Sequence, residues 1–230
     1  MSATTVPTEG ILLIDKPKGI TSFDLVRKLR RLTGVRKIGH AGTLDPFATG
    51  VMVMLIGRDY TRRSNQFLSQ DKEYLASLHL GATTDTYDSE GAPQPIPHTP
   101  PSLEQIHDAL THFQGTIQQV PPMFSAKKIN GQKLYQLARK GKTVERPPVT
   151  VHVQIHLLAY TYPLLTLRIA CSKGTYIRSL GHDIGQQLGC GAYLDDLRRL
   201  RSGPFSVEEC IDSTLLNDPD FDLNDHYRHP

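Results

Sequence analysis

Residues 149–157 and 165–171 alternate apolar and polar side chains with a period of two. In the first, Val149, Val151, Val153, Ile155 and Leu157 fall on one side, and Thr150, His152, Gln154 and His156 on the other. That period suits a strand with one face in a core and one in water, and it excludes a surface helix. The short connection between them makes the two antiparallel neighbours. Residues 72–80 repeat the pattern through Tyr74, Ala76, Leu78 and Leu80, while 10–14 and 51–56 are compact apolar runs. Helical spacing recurs elsewhere. Thr21 and Asp24 are spaced as a capping box before Phe23, Leu25, Val26, Leu29 and Leu32, with Gly34 as the stop. Ser102 caps a second helix through Phe113, with Ile106, Ala109, Leu110 and Phe113 inward. A turn at 172–176 leads to a third with Ile177, Leu180, Ile184 and Leu188 inward, and 58–68 and 192–200 read as helices too. Residues 204–207 add a short strand. Strands and helices are interspersed without regular βαβ alternation. The expected class is therefore α+β, a mixed, mostly antiparallel sheet flanked by helices and loops.

Several functional classes are disfavoured by what the chain lacks. The longest apolar run, 51–56, is far short of a membrane helix, and the polar first ten residues show no signal pattern, so the cytoplasm is the default compartment. Cys171, Cys190 and Cys210 contain no Cys-x-x-Cys pair, which argues against a disulfide framework and a zinc site. His152 and His156 share one strand face and read as solvated positions, with no metal expected. Neither a phosphate-loop Gly-x-x-x-x-Gly-Lys nor a dinucleotide fingerprint is present, so no nucleotide cofactor is expected. A monomer is the default.

One segment is too irregular for helix or strand. Residues 39–50, Gly-His-Ala-Gly-Thr-Leu-Asp-Pro-Phe-Ala-Thr-Gly, set three glycines and a proline around a single carboxylate, Asp45. This is a shaped loop, and Pro46 biases Asp45 toward an extended backbone that holds its side chain in one direction. Charge is polarised as well. Residues 16–40 carry eight Lys/Arg against one acid, and 127–146 carry seven against one, so the rest of the chain is acidic. Such a distribution fits a polyanion binder. Residues 121–148, opened and closed by proline pairs and holding a basic helical stretch at 132–140, read as an excursion from the core.

The loop resembles the catalytic loop of the TruB-type tRNA pseudouridine-55 synthases. The resemblance continues upstream through Gly-Ile-Leu-Leu-Ile-Asp-Lys-Pro-Lys-Gly at 10–19. Downstream it takes in Asp-Lys-Glu-Tyr at 71–74, Leu-Gly-Ala-Thr-Thr-Asp-Thr at 80–86, Pro-Met-Phe-Ser-Ala at 122–126 and Cys-Ser-Lys-Gly-Thr-Tyr-Ile-Arg at 171–178. It implies the pseudouridine synthase fold, with a catalytic domain over 1–215 and an RNA-contacting insertion at about 121–148, while the aspartates of 216–230 read as a loosely held acidic tail. It also implies isomerisation of a uridine in the tRNA TΨC stem-loop, position 55, without cofactor or metal.

By resemblance Asp45 is the nucleophile, and Arg178 is the fixed cation that keeps it ionised where burial alone would raise its pKa. Tyr74 and Tyr176 take the positions that stack on and line the pocket of a flipped uridine. His40 contacts the flipped loop, Leu197 lines the uracil pocket, and Lys16-Pro17 buttresses the site. Lys127, Lys128 and Lys133 are the expected phosphate contacts. Whether Asp45 attacks C6 of the base or C1′ of the sugar is open. Enzymes of this type usually continue into a C-terminal RNA-binding PUA domain. Only about 25 residues follow Phe205, too few for such a module, so a catalytic core without that extra grip on the tRNA stem is expected. The alternative from another class is a non-catalytic RNA-binding or RNA-folding protein. A glycosidase lacks a second positioned carboxylate.

Overall fold

The computed structural model describes residues 9–129 and 131–229. In chain order its elements begin β1 (Gly10–Lys16), α1 (Ser22–Thr33), β2 (Ile38–His40), β3 (Thr49–Ile56), α2 (Arg58–Arg62) and α3 (Ser64–Leu68). There follow β4 (Lys72–Leu80), β5 (Ala82–Thr83), β6 (Gln94–Pro95), α4 (Leu103–Thr111), β7 (Gly115–Gln119), β8 (Lys128–Ile129), β9 (Gln132–Lys133) and α5 (Leu134–Ala138). The last are β10 (Val149–Thr161), β11 (Leu164–Cys171), α6 (Ile177–Gln187), β12 (Ala192–Ser202), β13 (Phe205–Ser206) and β14 (Ile211–Asp212). The chain forms two compact units, one up to Glu73 and from Arg198 onward, the other Tyr74–Leu197.

In the first unit β1 and β3 pair antiparallel along their whole length, from Gly10 opposite Ile56 to Lys16 opposite Gly50. Both are buried on both faces, which is why they read as unbroken apolar runs. β14 lies parallel to β1, β2 antiparallel to β3, and Arg198 and Arg199 of β12 run parallel to Thr49 and Gly50. Ile11, Leu13, Val51, Val53, Leu55 and Phe205 form a common core. Each such side chain contributes roughly 1.5–3 kcal/mol on burial. α1 has the capping box, Thr21 accepting from the Asp24 amide while the Asp24 carboxylate accepts from Thr21, and Gly34 closes it at φ +70°.

In the second unit β10 pairs antiparallel with both β11 and β7, and β4 lies next to β11 in strand order. The alternation of β4 is complete, with Tyr74, Ala76, Leu78 and Leu80 buried and the intervening residues half-buried. α6 packs so closely on β4 that a Cβ on Gly181 would meet Leu78 Cδ2 at 2.6 Å. α4 and α6 bury the expected Ile106, Ala109, Leu110, Ile177, Leu180 and Ile184. The fold is α+β with a mixed, mostly antiparallel sheet.

Several local expectations change. Residues 192–202 form a strand, not a helix, because Leu197 and Arg199 bury themselves on the same side at a spacing of two. Residues 58–68 break into two short helices at Arg63, and the basic stretch at 132–140 is a strand residue pair followed by the single-turn α5. Phe23 and Leu32, placed in the apolar stripe of α1, are 53% and 48% exposed. Strand β7 was not foreseen, its apolar content being too low. The acidic tail is tied back: Ile11 and Arg228 exchange backbone hydrogen bonds of 2.9 Å, and the Arg228 guanidinium meets Glu209 at 2.6 Å.

Candidate active site

The loop that carries Asp45 is fixed from three sides within the first unit. On the N-terminal side of the carboxylate, the Ser22 hydroxyl donates to the Leu44 carbonyl and accepts from the Leu44 amide, both at 2.9 Å. On the other side, Pro46 O accepts from the Gly19 amide at 2.8 Å and from Lys16 Nζ at 3.2 Å. Lys16 Nζ also donates to Pro17 O at 2.8 Å and Ile20 O at 2.7 Å. Three carbonyls on three N–H donors describe a protonated ammonium whose side chain is fully buried. Lys16 thereby ties the backbone of 17–20 to that of the loop. Asp45 itself is half-buried, and its carbonyl accepts from Ala48 at 3.1 Å to close a turn.

The third support is Arg199, 1% exposed, whose Nε donates to Val51 O at 2.7 Å and whose Nη2 donates to Gly42 O at 3.2 Å. Gly50, at φ +104°, is thus flanked in register by two buried cations, Lys16 on β1 and Arg199 on β12. Both hold loop carbonyls. The backbone on either side of the aspartate is therefore pre-set before any ligand arrives, as a reactive group requires.

His40 ends β2, opposite Met54. Burial, followed by the positive charge of Arg199, lowers its pKa, so the ring is neutral at pH 7. Its Nδ1 is buried without a hydrogen-bond partner among the described residues.

The second unit holds the other expected site residues. Tyr176 and Arg178 stand at the start of α6, which Gln119 fixes: its side chain accepts from the Tyr176 amide at 2.8 Å and donates to the Tyr176 carbonyl at 3.0 Å. Gln119 is completely buried. Arg178, 7% exposed, gathers three segments. It donates to Thr86 O at 3.0 Å and Phe124 O at 2.7 Å, and its Nη1 lies 3.2 Å from Asp88 Oδ2. Tyr74 and Leu197 are buried on β4 and β12, at 8% and 5% exposure. The turn bearing Asp88 is shaped by Tyr87, which adopts φ +64° and stacks on His182 of α6 with ring centroids 3.9 Å apart.

The 121–148 excursion is anchored at both ends. Arg146 Nη1 donates to Pro121 O at 3.2 Å, and Leu134 is fully buried. Its tip is the β8–β9 hairpin, in which Lys128 lies opposite Lys133. Lys127 precedes it and accepts from Leu134 N through its carbonyl at 2.9 Å. Lys128 is exposed and Lys127 and Lys133 half-buried.

Asp88, Gln119, Arg199 and Ser22 were not foreseen. Asp88 lies just past the 80–86 segment with nothing in the sequence to single it out, and the helical reading of 192–200 concealed Arg199. Among the described residues no His, Cys, Asp and Glu group is arranged to hold a metal ion, and no helix is long and apolar enough to cross a membrane.

A family model described as TruB family pseudouridylate synthase (N terminal domain) matches residues 30–177, and one described as tRNA pseudouridylate synthase B C-terminal domain matches 178–221. The tRNA pseudouridine synthase B of Chlamydia abortus (strain DSM 27085 / S26/3) is 60% identical over 99% of this chain and 97% of its own. That of Desulfotalea psychrophila (strain LSv54 / DSM 12343) is 49% identical over 89% and 86%. Among solved structures, a chain in "Crystal Structure of a Cbf5-Nop10-Gar1 Complex" is 32% identical, with a TM-score of 0.71 over 90% of this chain. The match spans about half of that longer chain, 54%.

Proposed function

Since the chain belongs to the TruB family of pseudouridylate synthases, we propose that it isomerises uridine 55 in the TΨC loop of tRNA to pseudouridine, with Asp45 as the nucleophile. The reaction breaks the bond from N1 of uracil to C1′ of ribose and forms one from C5 to C1′. The hydrogen leaving C5 is balanced by the proton that N1 gains. Product and substrate are isomers, so the chemistry consumes no cofactor. It needs a carboxylate presented to a nucleotide turned out of its stack, at a cost of a few kcal/mol, and a pocket that retains the detached base.

The observation that carries the reading is the fixing of the backbone on both sides of Asp45 by Ser22, Lys16 and Gly19. An ordinary surface Asp-Pro turn has no use for a fully buried ammonium behind it. Arg178, bonded to two carbonyls and one carboxylate, is a rigid cation of the kind that keeps a nearby carboxylate ionised. Tyr74, Tyr176 and Leu197 serve as the stacking and lining surfaces, neutral His40 contacts the flipped loop, and Lys127, Lys128 and Lys133 meet phosphates. The insertion closes on the RNA. The work is done in the cytoplasm by a monomer.

The test is pseudouridine mapping in an unmodified tRNA transcript incubated with the purified chain and no added cofactor. Modification at position 55 is expected from the wild type and none from Asp45→Asn, with tRNA affinity largely kept by the variant. Full activity of Asp45→Asn would reject the assignment. A wild-type chain that binds tRNA without modifying it would favour a non-catalytic RNA-binding protein.

A further inference from the structure

A groove of about 670 Å³ lies in the first unit between α1 and the 3₁₀ turn at Leu215–Asn217. Its lining is apolar at Pro17, Ile20 and Leu25, cationic at Arg27, Lys28, Arg30 and Arg31, and acidic at Asp24, which pairs with Arg27. Ser213, Thr214 and Asn217 complete the lining, with Thr214 bonded to Asp212 and the Ser213 carbonyl accepting from Lys28. Lys28 reaches across, donating to Asn217 Oδ1 at 2.7 Å. Among the described residues Arg27 pairs with Asp24, while no carboxylate pairs with Arg30 or Arg31. Four cations on three turns of helix against one acid repel one another, and a bound polyanion relieves that repulsion.

Phe23 extends this surface. It is 53% exposed at the start of α1, and the Arg27 and Arg30 guanidinium carbons lie 5.9 and 5.7 Å from its ring centroid. An aromatic ring flanked by guanidinium planes stacks nucleobases, and apolar side chains beside cationic ones suit a base and its phosphate together. An acidic peptide would satisfy the charges and leave the ring without a planar partner. The volume is within the range of small-ligand pockets, roughly 300–1,000 Å³. The groove also shares a frame with the candidate catalytic loop, since Lys16 Nζ bonds both Ile20 O in its lining and Pro46 O beside Asp45.

We propose that this groove and Phe23 form a second RNA subsite, holding a nucleotide segment of the same tRNA outside the target stem-loop. The proposal rests on the tRNA reading above. It is distinct from the phosphate-binding role of the insertion.

The test compares binding of a full tRNA transcript and an isolated TΨC stem-loop by the intact chain, its R30E/R31E variant and its F23A variant. R30E/R31E is expected to weaken full-tRNA binding at least tenfold and to flatten its salt dependence by roughly 0.7–0.9 for each phosphate that no longer meets a cation. F23A is expected to weaken it about fivefold or more. Both should bind and turn over the isolated stem-loop as the wild type does and remain folded at the assay temperature, because all the altered side chains are exposed. Wild-type affinity of R30E/R31E for full tRNA would overturn the proposal and leave the groove to an acidic protein partner. Equal losses on tRNA and stem-loop would overturn it too, by assigning the groove to the target arm. Neither result bears on pseudouridine formation by the wild type, whose absence would instead sink the functional reading.

Discussion

A Cβ on Gly50 would stand 2.2 Å from the carbonyl oxygen of Arg199, its neighbour in the parallel register of β3 and β12. Glycine is required there twice, for that approach and for a φ of +104°. Gly50→Ala must part the strands or shift the loop, and a stability loss of about 2–4 kcal/mol is expected. Urea unfolding measures it, and the same variant should lose pseudouridine formation at temperatures where it is still folded. A wild-type midpoint would show that the two strands separate at little cost.

Arg178 and Asp88 form a buried ion pair whose side chains are 8% and 2% exposed. Removing one partner of such a pair costs about 3–5 kcal/mol, because the other charge stays behind. Asp88→Ala should therefore unfold at markedly lower urea. Arg178→Lys keeps the charge and loses the fork that reaches Thr86 O, Phe124 O and Asp88 together. Single-turnover assays should show a rate at least about 100-fold lower, near 2.7 kcal/mol of barrier, with tRNA affinity within a few-fold. A wild-type rate for Arg178→Lys would mean that the geometry of this cation does not matter.

Burial pushes the Asp183 carboxyl up to about 6 from its ordinary 3.8. Between those two values the folded chain holds a proton that the unfolded chain has released, so this group lowers stability as pH rises through the window and leaves a constant penalty above it. Asp183→Asn should match the wild type in stability near pH 4 and exceed it at pH 7. Unfolding titrations at four pH values read this directly. A difference that does not change with pH would contradict it.

Lys128 and Lys133 face each other across β8 and β9, with Lys127 immediately before them. Replacing all three by alanine should weaken binding to any tRNA and lower the salt slope by roughly 0.7–0.9 for each phosphate left without its lysine. An unchanged slope would exclude the hairpin from the RNA interface.

The sheet was legible where period-two alternation holds, as in β4, β11 and β10 up to its register shift after Leu157, and where both faces are buried, as in β1 and β3. Ends of helices were legible from Thr21, Asp24, Gly34 and Ser102, because capping is a local interaction. Strand β12 was not. Its Leu-Asp-Asp-Leu-Arg-Arg-Leu run has the charge content of a surface helix, and only the carbonyls of Val51 and Gly42 explain a buried Arg199. Phe23 and Leu32 failed for the opposite reason, since helical spacing places a residue on a face without saying what covers that face. Asp45 stood out because Gly, Pro and a lone carboxylate crowd one irregular segment. The groups that hold its loop, Ser22 and Lys16 upstream and Arg199 near the other end of the chain, are distant from Asp45 in sequence and reach it only in three dimensions.

Lys16 is sealed from solvent and donates to the carbonyls of Pro17, Ile20 and Pro46. Dissolved ions screen exposed charges within about 10 Å at 0.1 M, and they have no access to this one. Raising the ionic strength should therefore loosen the chain's hold on RNA while sparing the shape around Asp45, so that KM climbs steeply and kcat stays flat. Capture and chemistry would then answer to different variables, one set by the buffer and the other fixed at folding.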